Sequence, residues 1–522
     1  MSKTTKAIQP KKKNLFGKFL DMVEVVGNRM PHPATIFVLL SIAIVIISHI
    51  VAKAGVSIPY TMIDRYTHEV KDTTINAVSL WTPDGIRFMF SKAVTNFTGF
   101  EPLGTVLVAM LGVGVAEGTG LISALLKRVV LSAPKSLITI IVILAGIMSN
   151  IASDAGYVVL VPLGAIVFLS FGRHPLAGIA AAFAGVSGGF SANLLIGTLD
   201  PLLSGISTEA ARFIDPEYMV NPTGNWYFMI VSTFLITAIG TYVTERIVEP
   251  RLGEYKGDAE VDLHDLSKQE NKGLVAAFIS LLVFIGIIVA LVAPENGILR
   301  EPETGAILGH TPFMEGLVPI IMFFFLVPGV TYGIFAKTIK NDKDIAKAMG
   351  KAMAGMGGYL VLTFAAAQFV AYFKYTHLGT ILAVKGAEFL KTTGLIGFPL
   401  IIGFIIVSAF LNMFMGSASA KWAIMAPVFV PMFMKLGYSP EFTQVAYRIG
   451  DSTTNIISPL MSYFAVIVAF AQKYDKDTGV GTLISTMVPF FALFLIGWSL
   501  LLAVWYFVGA PLGPDAFIHL KM

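Results

Sequence analysis

The sequence predicts an all-α polytopic membrane protein, with about nine transmembrane helices and two re-entrant helical hairpins arranged as an inverted repeat. Three observations lead there: composition, the spacing of apolar runs between charged ends, and a pattern of prolines and glycines that occurs twice. Of 522 residues, 55% are hydrophobic and only 13% charged, with a mean hydropathy of +0.75, whereas roughly 25% of a soluble domain is charged. So little charge cannot cover the surface of a soluble chain this long, which excludes a cytosolic enzyme, a nucleic-acid binder and a secreted protein. The lack of cysteine removes disulfides, thiolate metal sites and cysteine nucleophiles.

Residues 1–31 are polar and basic. Lys11, Lys12 and Lys13 precede a stretch, 14–30, in which Leu15, Phe16, Phe19, Leu20, Met22, Val23 and Val26 recur at helical spacing, the mark of an amphipathic helix on a membrane surface. The first spanning run is 34–51, close to the roughly 20 apolar residues that cross a hydrocarbon core. Ala52-Lys53-Ala54 resembles a signal-peptidase site, but the polar stretch ahead of the run is too long for a cleaved leader. Further apolar segments lie near 102–124, 226–245, 273–293, 313–336, 345–373 and 483–507, with two longer, interrupted ones at 176–206 and 440–471. A cytoplasmic N-terminus puts Lys127, Arg128, Lys135, Arg173, Arg246, Arg251, Lys337, Lys340 and Lys473 on the inner side. The opposite connections carry Glu209, Asp215, Glu217, Glu295, Glu301 and Glu303. That is the positive-inside bias, and it places the C-terminus outside. The chain divides into a first membrane half, 32–246, a cytoplasmic linker, 247–272, and a second half, 273–522. The linker and the outer insert, 54–100, are too short to be catalytic domains.

Two apolar segments do not fit as spans. The segment 136–172 holds an apolar run, then 149–157 (SNIASDAGY), then another apolar run, each arm too short to cross; 395–434 repeats that construction around Asn412 and 416–422 (GSASAKW). A hairpin that enters and leaves by one face satisfies both. Pro162, Gly172 and Pro175 in the first half are answered by Pro427, Gly437 and Pro440 in the second, and a long span follows each set. Those spans are broken at 188–201 (GGFSANLLIGTLDP) and 449–459 (IGDSTTNIISP). By the span count the two hairpins enter from opposite faces. Inverted repeats with hairpins and broken helices are the build of secondary transporters, where unwound backbone at membrane depth lines a site.

Ionisable side chains at that depth cost about 2.5–3.5 kcal/mol each on insertion scales and by default mark a functional site. Here they are Asp154, Asp200, Lys421, Arg448 and Asp451, with Glu117 nearer the end of its span. Two readings stand for Arg448 and Asp451. At i,i+3 spacing they neutralise one another; or Arg448 anchors a substrate carboxylate through its bidentate fork, while Asp451 binds a cation or carries a proton. Asn150, Asn193, Asn412 and Asn455 all fall at breaks, where, with Ser149, Ser153, Ser417, Ser419 and Thr454, they supply neutral oxygens suited to a hard cation such as Na⁺. They serve equally to satisfy the backbone freed by the breaks. Asn150, Ser153, Asp154 and Asn193 make a candidate cation site in the first half. Trp422 beside a hairpin tip is suited to stack on an aromatic substrate, or to ordinary packing. Gly185-Val186-Ser187-Gly188 matches the G-x-S-G of membrane serine proteases, for which His49 is the one histidine placed at all like a base. No metalloprotease or P-loop motif is present, so no bound cofactor is expected and the energy comes from an ion gradient, Na⁺ or H⁺ or both, or from the substrate's own.

The hairpins and breaks resemble the AbgT family of bacterial inner-membrane transporters, the p-aminobenzoyl-glutamate group that includes the neisserial MtrF drug-efflux proteins. The likeness runs from 28–33 (NRMPHP) through 96–100 (NFTGF) and 173–178 (RHPLAG) to Val508-Gly509 and Leu512-Gly513-Pro514. It is most specific at 416–422 and 447–459 (YRIGDSTTNIISP). The resemblance implies nine spans, two hairpins, a homodimer with a cytoplasm-facing basin, and cation-coupled transport. Carried over by motif, Asn412, Asp451 and Asn455 match a cation site. Asp200, Ser419, Trp422, Arg448 and Pro459 match residues of substrate passage, with Ser417 beside them. Members differ in direction, some importing p-aminobenzoyl-glutamate and others expelling p-aminobenzoate and sulfonamide antimetabolites; 416–422 and 451–455 look more like the efflux branch. Lys421 stands where the resemblance leads to a neutral residue. Rival readings are a sodium-coupled dicarboxylate carrier, which the same hairpin architecture serves, and a channel.

Overall fold

The structure is a computed structural model that describes residues 31–63, 70–152, 156–257, 265–308, 311–459, 461 and 463–520. The amphipathic stretch 14–30, and Ser153 and Asp154 of the first candidate cation site, lie outside the described residues.

Uncharged apolar runs become long helices because in lipid the backbone must satisfy its own hydrogen bonds. Among the described residues, Pro33–Lys53, Glu101–Gly118, Trp226–Leu252, Lys268–Val292, Leu317–Phe335 and Val480–Val508 are each long and apolar enough to cross a bilayer. Their ends carry local signals. Ser267 and Glu270 form a reciprocal capping box at the start of Lys268–Val292, and Gly509, at φ 70°, ends Val480–Val508 in the left-handed conformation that glycine tolerates. The segment expected as one span at 345–373 is bent by 48° between Asp342–Gly355 and Gly357–Tyr375. The insert 54–100 departs from the all-helical expectation: Ser57–Ile63 and Val70–Asn76 pair antiparallel, in register from Ser57↔Asn76 to Ile63↔Val70. The β-branched Thr74 and Ile75 favour a strand.

The two hairpins are built as the sequence predicts. The first has arms Ile138–Ser149 and Gly156–Ser170, and the second Phe398–Asn412 and Ala418–Met434. Each is followed by a helix that breaks: Pro175–Gly188 before Leu199–Ala211, and Pro440–Asn455 before Phe464–Gln472. In both halves a glycine lets the break helix touch the backbone of its own hairpin arm. A Cβ on Gly185 would stand 2.4 Å from the Ile143 carbonyl oxygen, and one on Gly450 would stand 2.5 Å from that of Ile405. Gly185 and Gly450 are 265 positions apart, the same offset that separates Pro162 from Pro427, Gly172 from Gly437 and Pro175 from Pro440.

The halves interlock crosswise. Leu199–Ala211 packs on Ala418–Met434, and Phe464–Gln472 packs on Pro175–Phe183. Their hairpins open to opposite ends. At the base of the first hairpin, Arg173 Nε meets Glu249 Oε1 at 2.9 Å, near the end of Trp226–Leu252. Beside the base of the second, the carbonyl of Glu441 accepts from Asn225 at 3.0 Å, at the start of that same helix. The helix has 27 residues, so the two bases lie ~40 Å apart along it.

Candidate functional site

The tips of both hairpins and the breaks of both long helices converge on one cavity of about 430 Å³. The first half contributes Asn150 and Tyr157 from its hairpin and Phe190, Thr198 and Leu199 from its break; the second contributes Ser417 and Ser419 from its tip and Asn455 and Tyr463 from its break. Tyr157 and Tyr463 stack face to face across the halves, centroids 4.6 Å apart and planes within 5°. The second tip is shaped by Ser417, which caps the helix after it by accepting from Ala420 N at 3.3 Å. Ser417 and Ser419 hydroxyls lie 3.3 Å apart on the cavity wall. Pro459, half-buried, follows the second break, where Ser458 Oγ donates to the carbonyl of Asn412 at 3.3 Å.

Behind this wall lies a buried layer holding two ion pairs. Arg448 Nη2 is 2.7 Å from Asp200 Oδ1, with both side chains 3% exposed, and Asp200 Oδ2 accepts from Gly197 N at 2.7 Å. The pair joins the second break to the first. Gln444, its amide oxygen turned to the guanidinium, accepts from Arg448 Nη2 at 3.0 Å and donates to Ser207 Oγ at 2.9 Å. Trp422 Nε1 donates to the same hydroxyl at 3.0 Å, while its ring stacks on Tyr447 with centroids 4.5 Å apart. The second pair is Lys421 Nζ with Asp451 Oδ1, 2.6 Å apart and both 1% exposed.

These placements decide several of the sequence's alternatives. Arg448 and Asp451 do not neutralise each other along their helix; each finds its counter-charge on another element, because an unpaired charge at this depth is costly. Arg448 is therefore committed to Asp200 and does not face the cavity as a free carboxylate anchor. Trp422, fully buried, packs against Tyr447 and presents no face to the cavity. Ser417, Ser419, Asn150 and Asn455 do line it. In the first half, Asn150 Nδ2 donates to Val186 O at 2.9 Å and Asn193 Nδ2 to Ile147 O at 3.3 Å, so both amides satisfy freed backbone, though Asn150 Oδ1 is buried without a partner. Among the described residues the G-x-S-G serine has no base: Ser187 Oγ is buried without a hydrogen-bond partner, and His49 Nδ1 is 3.1 Å from Ser79 Oγ.

The sequence reading missed Tyr157, Tyr463, Ser207, Gln444 and Tyr447. The repeat offset carried one signal: Tyr157 is 265 positions before Trp422, so an aromatic follows each hairpin tip.

Asn412, Asp451 and Asn455 do come together, but not around a vacant centre. Lys421 Nζ donates to Asn412 Oδ1 as well as to Asp451, and Asn412 Nδ2 donates to the Asp451 carbonyl at 2.6 Å, to Thr454 Oγ1 at 2.8 Å and to Asn455 Oδ1 at 2.7 Å. A metal ion needs converging oxygens. Here an ammonium and an amide NH₂ already occupy all but Asp451 Oδ2, which is buried without a hydrogen-bond partner, so these residues as arranged leave a metal one free oxygen and do not fit Na⁺.

Paired hairpins and broken helices around a central cavity define a membrane transporter of the inverted-repeat kind. The chain belongs to the AbgT putative transporter family, whose match spans residues 18–520. It is 39% identical over 505 residues to the p-aminobenzoyl-glutamate transport protein of Escherichia coli strain K12, covering 97% of this chain and 98% of that one. Two solved structures are similar. The Neisseria gonorrhoeae MtrF, presented as illuminating a class of antimetabolite efflux pumps, superimposes with a TM-score of 0.90 at 50% identity, over 95% of this chain and all of that one. The Alcanivorax borkumensis YdaH transporter, described as having an unusual topology, gives 0.86 at 46%, over 93% of this chain and all of that one.

Proposed function

We propose that the protein is an ion-coupled secondary transporter of p-aminobenzoyl-glutamate and p-aminobenzoate-type aromatic carboxylates, and that it exports sulfonamide antimetabolites. It works as a homodimer in the bacterial inner membrane, N-terminus in the cytoplasm and C-terminus in the periplasm, with H⁺ or Na⁺ as coupling ion. One observation carries the reading: the central cavity of about 430 Å³ is walled by the stacked Tyr157–Tyr463 pair on one part and by Ser417, Ser419, Asn150 and Asn455 on another. Flat aromatic faces and a few convergent hydroxyl and amide groups are what a small aromatic acid needs from a site. The efflux direction is supported by the likeness to MtrF and by 416–422 (GSASAKW). Because the cavity lies where the two halves meet, rocking of one against the other opens it to either face.

The test is flux of p-aminobenzoyl-glutamate and of a sulfonamide in proteoliposomes under imposed pH and Na⁺ gradients, with succinate as the aliphatic competitor. Saturable, gradient-driven flux that the aromatic acids inhibit and succinate does not is expected. Competition by succinate alone makes the protein a dicarboxylate carrier, and flux without saturation or counterflow makes it a channel. Tyr463→Ala should weaken aromatic substrates more than Tyr463→Phe, since the phenyl ring keeps the stacking face, with about 0.5–1.5 kcal/mol at stake.

A further inference from the structure

Lys421 lies at the centre of the residue set that the resemblance assigns to a metal. We infer that the Lys421 ammonium is the resident cation of the second hairpin: it takes the place of a sodium ion among Asn412, Asp451 and Asn455, and this chain binds no Na⁺ there. As a statement about coupling, the inference rests on the transport reading above; as a statement about binding, it does not.

An ammonium carries three N–H donors. Lys421 Nζ meets three oxygens: Asp451 Oδ1 at 2.6 Å, Met415 O at 3.3 Å and Asn412 Oδ1. Its donors are thus all used, on one charged and two neutral acceptors, the mix of oxygens that a small monovalent cation takes. Asn412 reports the same exclusion from its other end. Its oxygen faces the ammonium, which turns its NH₂ toward the Asp451 carbonyl, Thr454 Oγ1 and Asn455 Oδ1. Those three oxygens share the two N–H of one amide, which leaves Asp451 Oδ2 as the unpartnered oxygen of the set.

The other half of the molecule supplies an internal comparison. At the offset of 265, Lys421 corresponds to Gly156 and Asp451 to Val186. The correspondence holds in space, since a Cβ on Gly156 would stand 2.9 Å from Val186 Cγ2 and 2.0 Å from Ser149 Oγ. The same two positions thus abut in both halves, filled by lysine and aspartate in one and by glycine and valine in the other. Within this chain the two charges are present together or absent together, as expected of a cation and its counter-ion built from one polypeptide.

A lysine that only holds the fold would be replaced by no free ion. A lysine that stands in for one leaves, when truncated, a buried carboxylate and a cavity that small cations fill. The experiment therefore reads cation binding by thermal unfolding of the purified full-length protein, titrated with NaCl or methylammonium chloride against N-methylglucamine chloride at constant ionic strength. The wild-type Tm is expected to be indifferent to both cations. Lys421→Ala is expected to lose stability and to regain it saturably with Na⁺ or methylammonium, as linkage requires of a ligand that binds only the folded state. Lys421→Ala/Asp451→Ala, with no carboxylate to neutralise, should respond to neither.

A saturable Na⁺-dependent rise in wild-type Tm that Asp451→Ala abolishes would overturn the inference, as would a folded Lys421→Ala protein blind to every cation. Should Lys421→Ala not fold, the wild-type titration still decides. None of these readouts needs a substrate, so absence of p-aminobenzoyl-glutamate flux would remove the transport reading and leave this one standing. In liposomes the companion outcome is flux of the wild type that is unchanged when Na⁺ is replaced, and flux of Lys421→Ala that requires it.

Discussion

Arg448 and Asp200 are 248 positions apart in the chain, one from each half. Removing one member of a buried pair leaves the other uncompensated, so Asp200→Asn should cost about 3–5 kcal/mol, and Arg448→Lys, which keeps charge but loses the fork to Gln444, about 1–3 kcal/mol. Asp200→Asn combined with Arg448→Gln should recover part of the loss. Unfolding midpoints in detergent of the wild type, Asp200→Asn, Arg448→Gln and the double variant form the cycle, and strictly additive losses would show that the pair is not energetically coupled. Every charge in this layer was legible in the sequence as an expense demanding a reason. The partners were not, because pairing depends on which elements touch. Arg448 and Asp451 look like partners on a helical wheel, yet the fold carries Asp200 and Lys421 to them from elsewhere.

At the scale of elements, the close contact between hairpin and broken helix rests on two glycines. Gly450→Ala and Gly185→Ala each drive a methyl into a carbonyl of the hairpin arm, and overpacking against backbone of this kind costs about 1–3 kcal/mol. Gly403→Ala, on the same arm as Ile405 with nothing within 4 Å of its Cβ, is the control and should leave expression and Tm unchanged. A second element-level prediction concerns pH. His174 precedes Pro175–Phe183 and caps it through Nδ1, which accepts from Leu176 N at 3.2 Å and so must be unprotonated. Burial lowers its pKa from the ordinary 6.5, outweighing the pull of Glu249 and Asp475 in the other direction. The unfolded chain then takes up a proton that the folded one refuses, so this contribution is constant above 6.5 and falls as pH drops below it toward the folded value. His174→Asn keeps an acceptor at the cap without the titration. Its Tm should fall less than that of the wild type between about pH 7.5 and about pH 5.5, and equal falls would remove His174 as the cause. The hairpins and breaks themselves were readable because prolines and glycines punctuate both halves at one spacing. The strand pair of the insert 54–100 was not, since two seven-residue strands carry no long apolar run to announce them.

For the whole molecule the central claim is inversion, and it can be tested without substrate. The two hairpin bases lie at opposite ends of Trp226–Leu252, which fixes their relation to each other but not to the cell. Orientation comes from the basic residues Lys127, Arg128, Lys135, Arg173, Arg246 and Arg251, which the positive-inside rule assigns to the cytoplasm. Ser136, at the base of the first hairpin, and Thr393, just before the second, are both exposed. The chain has no cysteine of its own, so a single introduced thiol reports without background. A membrane-impermeant maleimide applied to intact cells should label Thr393→Cys at once, and Ser136→Cys only after the membrane is permeabilised. Labelling of both from one side would refute the inverted repeat. Exchange of their behaviour, with Ser136→Cys labelled from outside, would keep the repeat and reverse the molecule, placing the C-terminus in the cytoplasm against the charge bias.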